Sequence, residues 1–487
     1  MNFTQEIKIL LILNNPIIYI ETEEEDRLEY IIRSINEINF KKKVCTWNFI
    51  DGYLDNPNYL EDGKKNPLRT LEIIMENMDS TVNIFLLKDF YNFINDLGIS
   101  RKLKNIYGWL KSYNKHIIIS GKGKNIPQSL REYIKYIKLP LPGKKEIQLE
   151  VERFGELSGG KFKDLEEHIC NAYAGLTLSR IRESIAQIIT NNLSKKQIIR
   201  NILREKAQFV EQTNILEFHY SNKYSLDIGG LQNLKNWLEI RQLTFTAKAS
   251  IYGIKIPKGV ILVGIQGTGK SLSAKFIAAD WKLPLLKLDV SKIFAGILGE
   301  SENRIKQAID TCTRMSPCIL WIDEIDKIFT EQTNNTDSGT TIRVTNIFLT
   351  WLSERREHVF VIATANNISH LPIEMLRKGR FDEIFFVDLP NLKQRIKIFQ
   401  IHLKKIRPLT WFKYNIYYLG KISKKFSGAE IEQSIAEGMY RGFSKKREFT
   451  TLDVVEALQG IIPLAITEEK KITKLRAWGY SGKIQVA

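Results

Sequence analysis

Two stretches of this sequence gather side chains of the kinds that hold phosphate and metal. In KGVILVGIQGTGKSLSAKF an apolar run, 259–263, leads into Gly264-Ile265-Gln266-Gly267-Thr268-Gly269-Lys270-Ser271-Leu272, and a helical pattern follows to about 281. Closely spaced glycines let backbone N–H groups converge on phosphate oxygens, and the start of the following helix adds a positive field. In such a loop Lys270 reaches the β and γ phosphates of a nucleotide, and the Ser271 hydroxyl ligates Mg²⁺. The second stretch, CILWIDEIDKIF (318–329), is apolar enough for a buried strand yet ends in Asp323, Glu324 and Asp326. Burying uncompensated carboxylates is costly, so the acids belong at the strand end, facing a cation. Asp323 fits the Mg²⁺ ligand of a phosphate-loop enzyme and Glu324 the group that orients attacking water. Asp326 is assigned no chemistry; it supports the loop or faces solvent.

The elements that must position these groups are a strand, loop and helix for the phosphates and a second strand for the acids. Together with segments downstream they resemble the AAA ATPases over about residues 222–465. The resemblance implies an α/β fold: a P-loop three-layer αβα module over 222–390, with a helical lid over 391–465. It also implies roles for individual residues. In SLDIGGL (225–231), Asp227, Ile228 and Gly229 would contact adenine; in HVFVIATANN (358–367), Asn366 would bond the γ phosphate or its attacking water. LRKGRFD (376–382) would supply Arg377 and Arg380 as arginine fingers, and fingers given in trans neutralise charge on the transferred phosphoryl group. A basic helix end near a helix C-terminus is the plainer reading of the same residues. Fingers acting on a neighbour's nucleotide require head-to-tail contacts that close into a ring, a hexamer in this family. His402, on the helical stretch RIKIFQIHLKKI, falls where relatives place a histidine near the sugar and base, and Gly428 and Ala429 where the lid closes over adenine.

The sequence departs from the family pattern at two points. Ile265 and Gln266 stand where prolines are usual, which leaves a backbone-based cradle intact. In IFAGILGESENRI (293–305), Gly299, Glu300, Ser301 and Glu302 match the pore loop, but Ile297 holds the place of the gripping aromatic, with Phe294 three residues earlier. Threading of a polypeptide is therefore compatible with the sequence without being required by it. No HExxH follows, which excludes the family's metalloproteases as close models.

The opening 220 residues lack a phosphate loop, yet alternate apolar strands (NPIIYIET, KVCTWNFI, VNIFLLKDF, KHIIISG) with amphipathic stretches, as in a mainly parallel sheet. They echo the second half: VNIFLLKDFYNFI reads like PCILWIDEIDKIF, and SRIRESIAQ (179–187) like AEIEQSIAE (429–437). This predicts a degenerate AAA-like module over 1–220, with an α/β core to about 144, a helical lid over 145–215, and a boundary near 205–224. Its strand NPIIYI runs into Glu21-Thr-Glu-Glu-Glu-Asp26, and Lys88 replaces the metal-binding acid, so this copy should not bind ATP. A basic tail, 466–487, holds Trp478 and Tyr480 and is expected to anchor on the protein's own body.

The chain has 487 residues and a formal net charge of +17. Such charge suits nucleic acid or acidic partners, but Lys is scattered and the heavy use of Ile, Lys and Asn reads as an AT-rich coding bias. Four cysteines form no CxxC pair, and IKILLILNNPIIYI is broken by Asn14, Asn15 and Pro16 far short of a membrane span. The whole arrangement resembles AAA proteins encoded in red-algal plastid and cyanobacterial genomes, which implies a plastid stroma without a transit peptide. The favoured reading is an ATP-hydrolysing ring remodelling protein clients. A nucleic-acid-associated ATPase and a nucleotide-gated scaffold with little turnover stand as alternatives.

Overall fold

The computed structural model describes residues 3–54, 63–77, 79, 81–123, 126–157, 166–191, 193–219, 227–245, 247–294, 300–327, 338–355, 357–377, 379–482 and 484–487. The pore-loop residues Ile297 and Gly299, and Ser225 and Leu226 of the entry motif, lie outside the described residues. Two compact units divide the chain, Met1–Lys195 and Lys196–Ala487.

In the first unit six strands form one sheet: β1 (Ile17–Glu21), β2 (Lys43–Asn48), β3 (Gly52–Tyr53), β4 (Val82–Leu87), β5 (His116–Gly121) and β6 (Ile134–Lys138), in the order β3-β2-β4-β5-β1-β6. All pairs are parallel except β2 with β3. The strands are apolar on both faces because both are covered. Ile17, Tyr19, Phe85, Leu87, Ile117 and Ile119 pack into one core, while Ile18, Ile20, Ile84, Leu86 and Ile118 enter another with the helices Phe3–Ile12 and Glu25–Phe40. Two-residue periodicity thus builds a layer on each side of the sheet.

The second unit holds β7 (Leu216–His219), β8 (Gly259–Gly264), β9 (Leu285–Leu288), β10 (Cys318–Ile322), β11 (Val359–Ala365), β12 (Glu383–Val387) and β13 (Gln485–Val486), ordered β13-β12-β8-β11-β10-β9-β7. Among the described residues its pairs are parallel except β7 with β9. Within the stretch 205–224 the structure has the end of the helix Lys195–Glu211 and then β7, an edge strand of this sheet. Helices from Leu392 onward gather around Phe399, Leu403, Leu419, Ile431, Ile435 and Val454 as a separate apolar core. Two of them, Leu392–Ile406 and Gly428–Ser444, start in capping boxes, Asn391 with Gln394 and Ser427 with Glu430.

With β3 and the edge strands β7 and β13 set aside, the two sheets share one order. β2-β4-β5-β1-β6 corresponds to β9-β10-β11-β8-β12, each written by position along its own chain segment. The echo read in the sequence is a repeated topology.

Candidate functional site

The loop between β8 and the helix Lys270–Trp281 is built around two left-handed glycines, Gly267 (φ 74°) and Gly269 (φ 92°). Among the described residues a Cβ on Gly269 would meet nothing within 4 Å. Lys270 is 7% exposed, and its ammonium donates to the carbonyls of Gly264 (2.8 Å) and Ile265 (2.7 Å). Burial pushes its pKa down to about 8, against the opposing pull of Asp326, Asp323 and Glu324. A cation held this dry gains from any anion placed beside it.

The acids stand at the end of β10, as their apolar approach requires. Ser271 Oγ donates to Asp323 Oδ1 at 2.9 Å, and Thr364 Oγ1, on neighbouring β11, donates to the same oxygen at 2.6 Å. Thr364 also accepts the Glu324 N–H at 2.9 Å, which fixes the turn leaving β10. Glu324 sits at φ 50°, a left-handed conformation rare outside glycine and asparagine. Its carboxylate accepts from Asn366 Nδ2 at 3.0 Å and pairs with Lys327.

Asp326 does not face solvent. It is 5% exposed, and its Oδ2 accepts the backbone N–H groups of Asn366 (3.1 Å) and Asn367 (2.9 Å). Of the two roles its sequence position allows, Asp326 takes loop support, and the loop is the one that carries Asn366. Thr364 was not singled out in the sequence at all. Its signal is positional: a hydroxyl one residue beyond the ladder partner of the last β10 residue, Ile322, which pairs with Ala363.

The remaining residues separate into those near the loop and those elsewhere. Ala429 N–H donates to the Gly267 carbonyl at 3.0 Å, and a Cβ on Gly428 would stand 3.3 Å from the same oxygen, so the helix Gly428–Ser444 begins on the loop. Gly229 packs so closely on Ile398 that a Cβ would lie 2.6 Å from it, Ile228 is buried beside Trp237, and Asp227 stands 3.5 Å from both Lys235 and Lys397. Gln266 and Leu272 are exposed. His402, one turn beyond Ile398, lies 3.4 Å from Glu432, and burial holds its pKa below the usual value. Arg377 is exposed and Arg380 half-buried, with Nη1 of Arg380 lacking a hydrogen-bond partner. Among the described residues neither arginine bonds to the Lys270–Asp323 network.

These donors suit a magnesium nucleotide. Mg²⁺ prefers a few hard oxygens and keeps several waters, which one hydroxyl and one carboxylate allow, and the glycine turn beside a dry ammonium suits phosphate.

Comparison with known proteins agrees with this geometry. The family described as "ATPase family associated with various cellular activities (AAA)" matches residues 260–389. The "SpoVK-like AAA ATPase, N-terminal domain" matches residues 3–139. Over 491 residues the chain is 50% identical to the AAA domain-containing protein ycf46 of Gracilaria tenuistipitata var. liui, covering 100% of both. It is 48% identical to the protein of that name from Guillardia theta, covering 100% of this chain and 97% of the relative. A proteasome-activating nucleotidase of Sulfurisphaera tokodaii is 29% identical over 307 residues, 60% of this chain and 75% of its own.

Proposed function

Since the chain belongs to the AAA ATPase family, with full-length relatives among the ycf46 proteins, we propose that it hydrolyses ATP to ADP and phosphate and uses the cycle to remodel protein partners. The observation that carries this reading is the continuous hydrogen-bonded set Ser271–Asp323–Thr364–Glu324–Asn366 at the mouth of the glycine loop. Four members take part directly, and Thr364 holds Asp323 and the Glu324 backbone in place.

The backbone N–H groups of the loop beyond Ile265, over 266–271, and the Lys270 ammonium hold the phosphates. Ser271 and Asp323 would hold Mg²⁺, which would supply positive charge to offset that of the phosphates. Glu324 takes the proton of the attacking water, and Asn366 aims that carboxylate while Asp326 fixes the Asn366 backbone. Asp227, Ile228 and Gly229, with Gly428 and Ala429 of the lid, enclose the base; His402 lies one helical turn from the Ile398 that packs on Gly229. Arg377 and Arg380 act on the nucleotide of an adjoining copy, which makes the working form a ring, six-membered by family resemblance. The full-length relatives come from plastid-bearing algae, which supports a plastid address. Among the described residues no helix is long and apolar enough to cross a membrane.

Protein clients are favoured over nucleic acid because the more distant relatives carry names tied to protein processing, a proteasome-activating nucleotidase and an ATP-dependent zinc metalloprotease FtsH. Co-purification with Glu324→Gln tests the reading. That variant should retain ATP and hold whatever the ring grips, while Lys270→Ala should release it. Equal recovery with both variants counts against remodelling.

A further inference from the structure

The segment 464–487 folds onto the rear of the glycine loop. At its start, the Leu464 N–H donates to Glu430 Oε1 at 2.7 Å. The other oxygen of Glu430 accepts from Ser427 N (2.7 Å) and Oγ (2.8 Å), and a Cβ on Gly267 would lie 2.8 Å from Ser427 Oγ. Next, Ala465 and Ile472 bury themselves against Ile265 of the loop, which is only 3% exposed, with Leu389 and Leu475 at the margin. Farther on, Arg476 Nε and Tyr480 Oη each donate to Asp388 at 2.8 Å, and Gly479 packs on the Phe386 ring so tightly that a Cβ would be 2.4 Å away. The segment ends as β13, paired with β12.

One strand of chain therefore touches the lid, the phosphate loop and the sheet edge in succession. It also accounts for a departure seen in the sequence. Ile265 offers a branched apolar side chain to Ala465 and Ile472, and its N–H donates to the Val387 carbonyl at 3.3 Å, a bond proline at that position would forfeit.

We propose that Ile265 is a positioning residue, and that the segment 464–487 sets the conformation of the phosphate loop through it. Docking of Ala465 and Ile472 holds Ile265, and so the backbone N–H groups beside it, in the arrangement that receives phosphate. The proposal rests on the reading of this loop as an ATP site. Its effect belongs in substrate affinity more than in turnover, because Ile265 touches neither Asp323 nor Glu324 in any contact seen.

The test is a double-mutant cycle on the full chain with Ile265→Ala and Ile472→Ser. Each single variant should raise KM for ATP roughly tenfold with kcat within about twofold, and the double variant should be no worse than either. Ile472→Leu should restore the wild-type KM. Amide hydrogen exchange across 264–271, measured without nucleotide, should quicken in Ile472→Ser. Unchanged KM, or independent and additive effects, would overturn the coupling. If Ile472→Ser does not fold, Tyr480→Phe and Arg476→Gln, which loosen the same segment at Asp388, take its place with the same expected split. A wild-type chain that binds no ATP sinks the ATPase reading instead, and the exchange measurement then decides the coupling alone.

Discussion

The two sheets differ in charge at one matching strand end, where the first has a lysine and the second an aspartate. β4 ends at Leu87 and β10 at Ile322, so Lys88 and Asp89 correspond to Asp323 and Glu324. Asp89 even shares the left-handed backbone, φ 55° against 50°. Leu87 pairs with Ile119 and Ile322 with Ala363, which aligns Ser120 with Thr364. Those two pair with Ile20 and Leu262, so Thr22 corresponds to Gly264. From there the first module has three residues before its helix, Thr22 to Glu24, and the second has six, Gly264 to Gly269. The short connection cannot form a cradle. Its helix opens with Glu25 and Asp26 where the other opens with Lys270 and Ser271, and Lys88 lies 2.7 Å from Glu29 and 4.0 Å from Asp26.

The lid side is rewired in the same sense. In the second module the lid helix bonds the loop backbone through Ala429 N–H and the Gly267 carbonyl. In the first, Glu24 accepts the Leu178 N–H at 2.5 Å, at the start of the helix Leu178–Thr190, and takes Arg27 Nη1 at 2.8 Å. Arg27 also reaches Glu146 and the Pro140 carbonyl, each at 2.7 Å. A side-chain carboxylate thus caps the lid helix from the loop. One topology thus balances its charges in two ways: through its own ion pairs in the first module, and by leaving a cation and an acid for a ligand in the second.

The largest contrast lies in what each module needs from outside. Arg380→Ala should lower ATP turnover by about 10³ or more, since fingers supplied in trans contribute 10³–10⁵. Activity should return in part when this variant is mixed with Glu324→Gln, because hetero-assemblies pair an intact finger with an intact base. A loss that mixing never relieves would place the arginine in its own subunit's site. Next, Lys270→Ala should reduce turnover on the order of 10³ and abolish nucleotide retention, whereas Lys88→Ala should leave steady-state turnover within about twofold. ATP bound in a Lys270→Ala chain and lost on adding Lys88→Ala would break the contrast, because the first module would then be a nucleotide site.

A smaller effect sharpens the picture of the first module. Glu24→Gln keeps the shape but removes the charge that meets both Arg27 and the Leu178 N–H, and hydrogen bonds to charged groups contribute about 1.5–3 kcal/mol. Amides of the helix Leu178–Thr190 should exchange faster by a corresponding factor, with those of Gly428–Ser444 unchanged. Equal exchange in variant and wild type would remove the latch.

Much of this contrast was legible in the residues. The glycine spacing at 264–269, the acids ending β10 and the substitution of Lys88 are local signals, and a strand carries its end residues to a known place. What the sequence could not reveal was contact between distant segments. Thr364 is one hydroxyl in a buried strand until the β10–β11 ladder sets it against Asp323. Asp326 is the third of three acids until the turn after β10 aims it at the backbone of Asn366. Ile265 reads as a missing proline until the segment beyond 464 covers it. The tail's anchoring on its own unit follows from a general preference, but its route along the loop depends on contacts between segments far apart in sequence.

The last contrast is in how the two lysines respond to pH. Burial works to lower Lys88, but the bond and charge of Glu29, then the charge of Asp26, outweigh it, and its pKa is raised. Lys270, held only by backbone carbonyls, is lowered by burial to about 8. Between about 8 and its ordinary value near 10.4 an unfolded Lys270 binds more protons than the folded one, so its contribution to stability rises with pH across that window. Nucleotide affinity must move the opposite way. Phosphates require the ammonium, so above pH 8 binding takes up a proton, and affinity should fall by up to about tenfold per pH unit. Calorimetry at pH 8.5 in two buffers of different ionisation enthalpy reads that uptake directly. Close to one proton per nucleotide should appear well above pH 8 and almost none at pH 7, and Lys88→Ala should leave both values unchanged. No uptake at either pH would mean that Lys270 keeps its proton without a ligand, and that the acids around it offset burial more strongly than their geometry suggests.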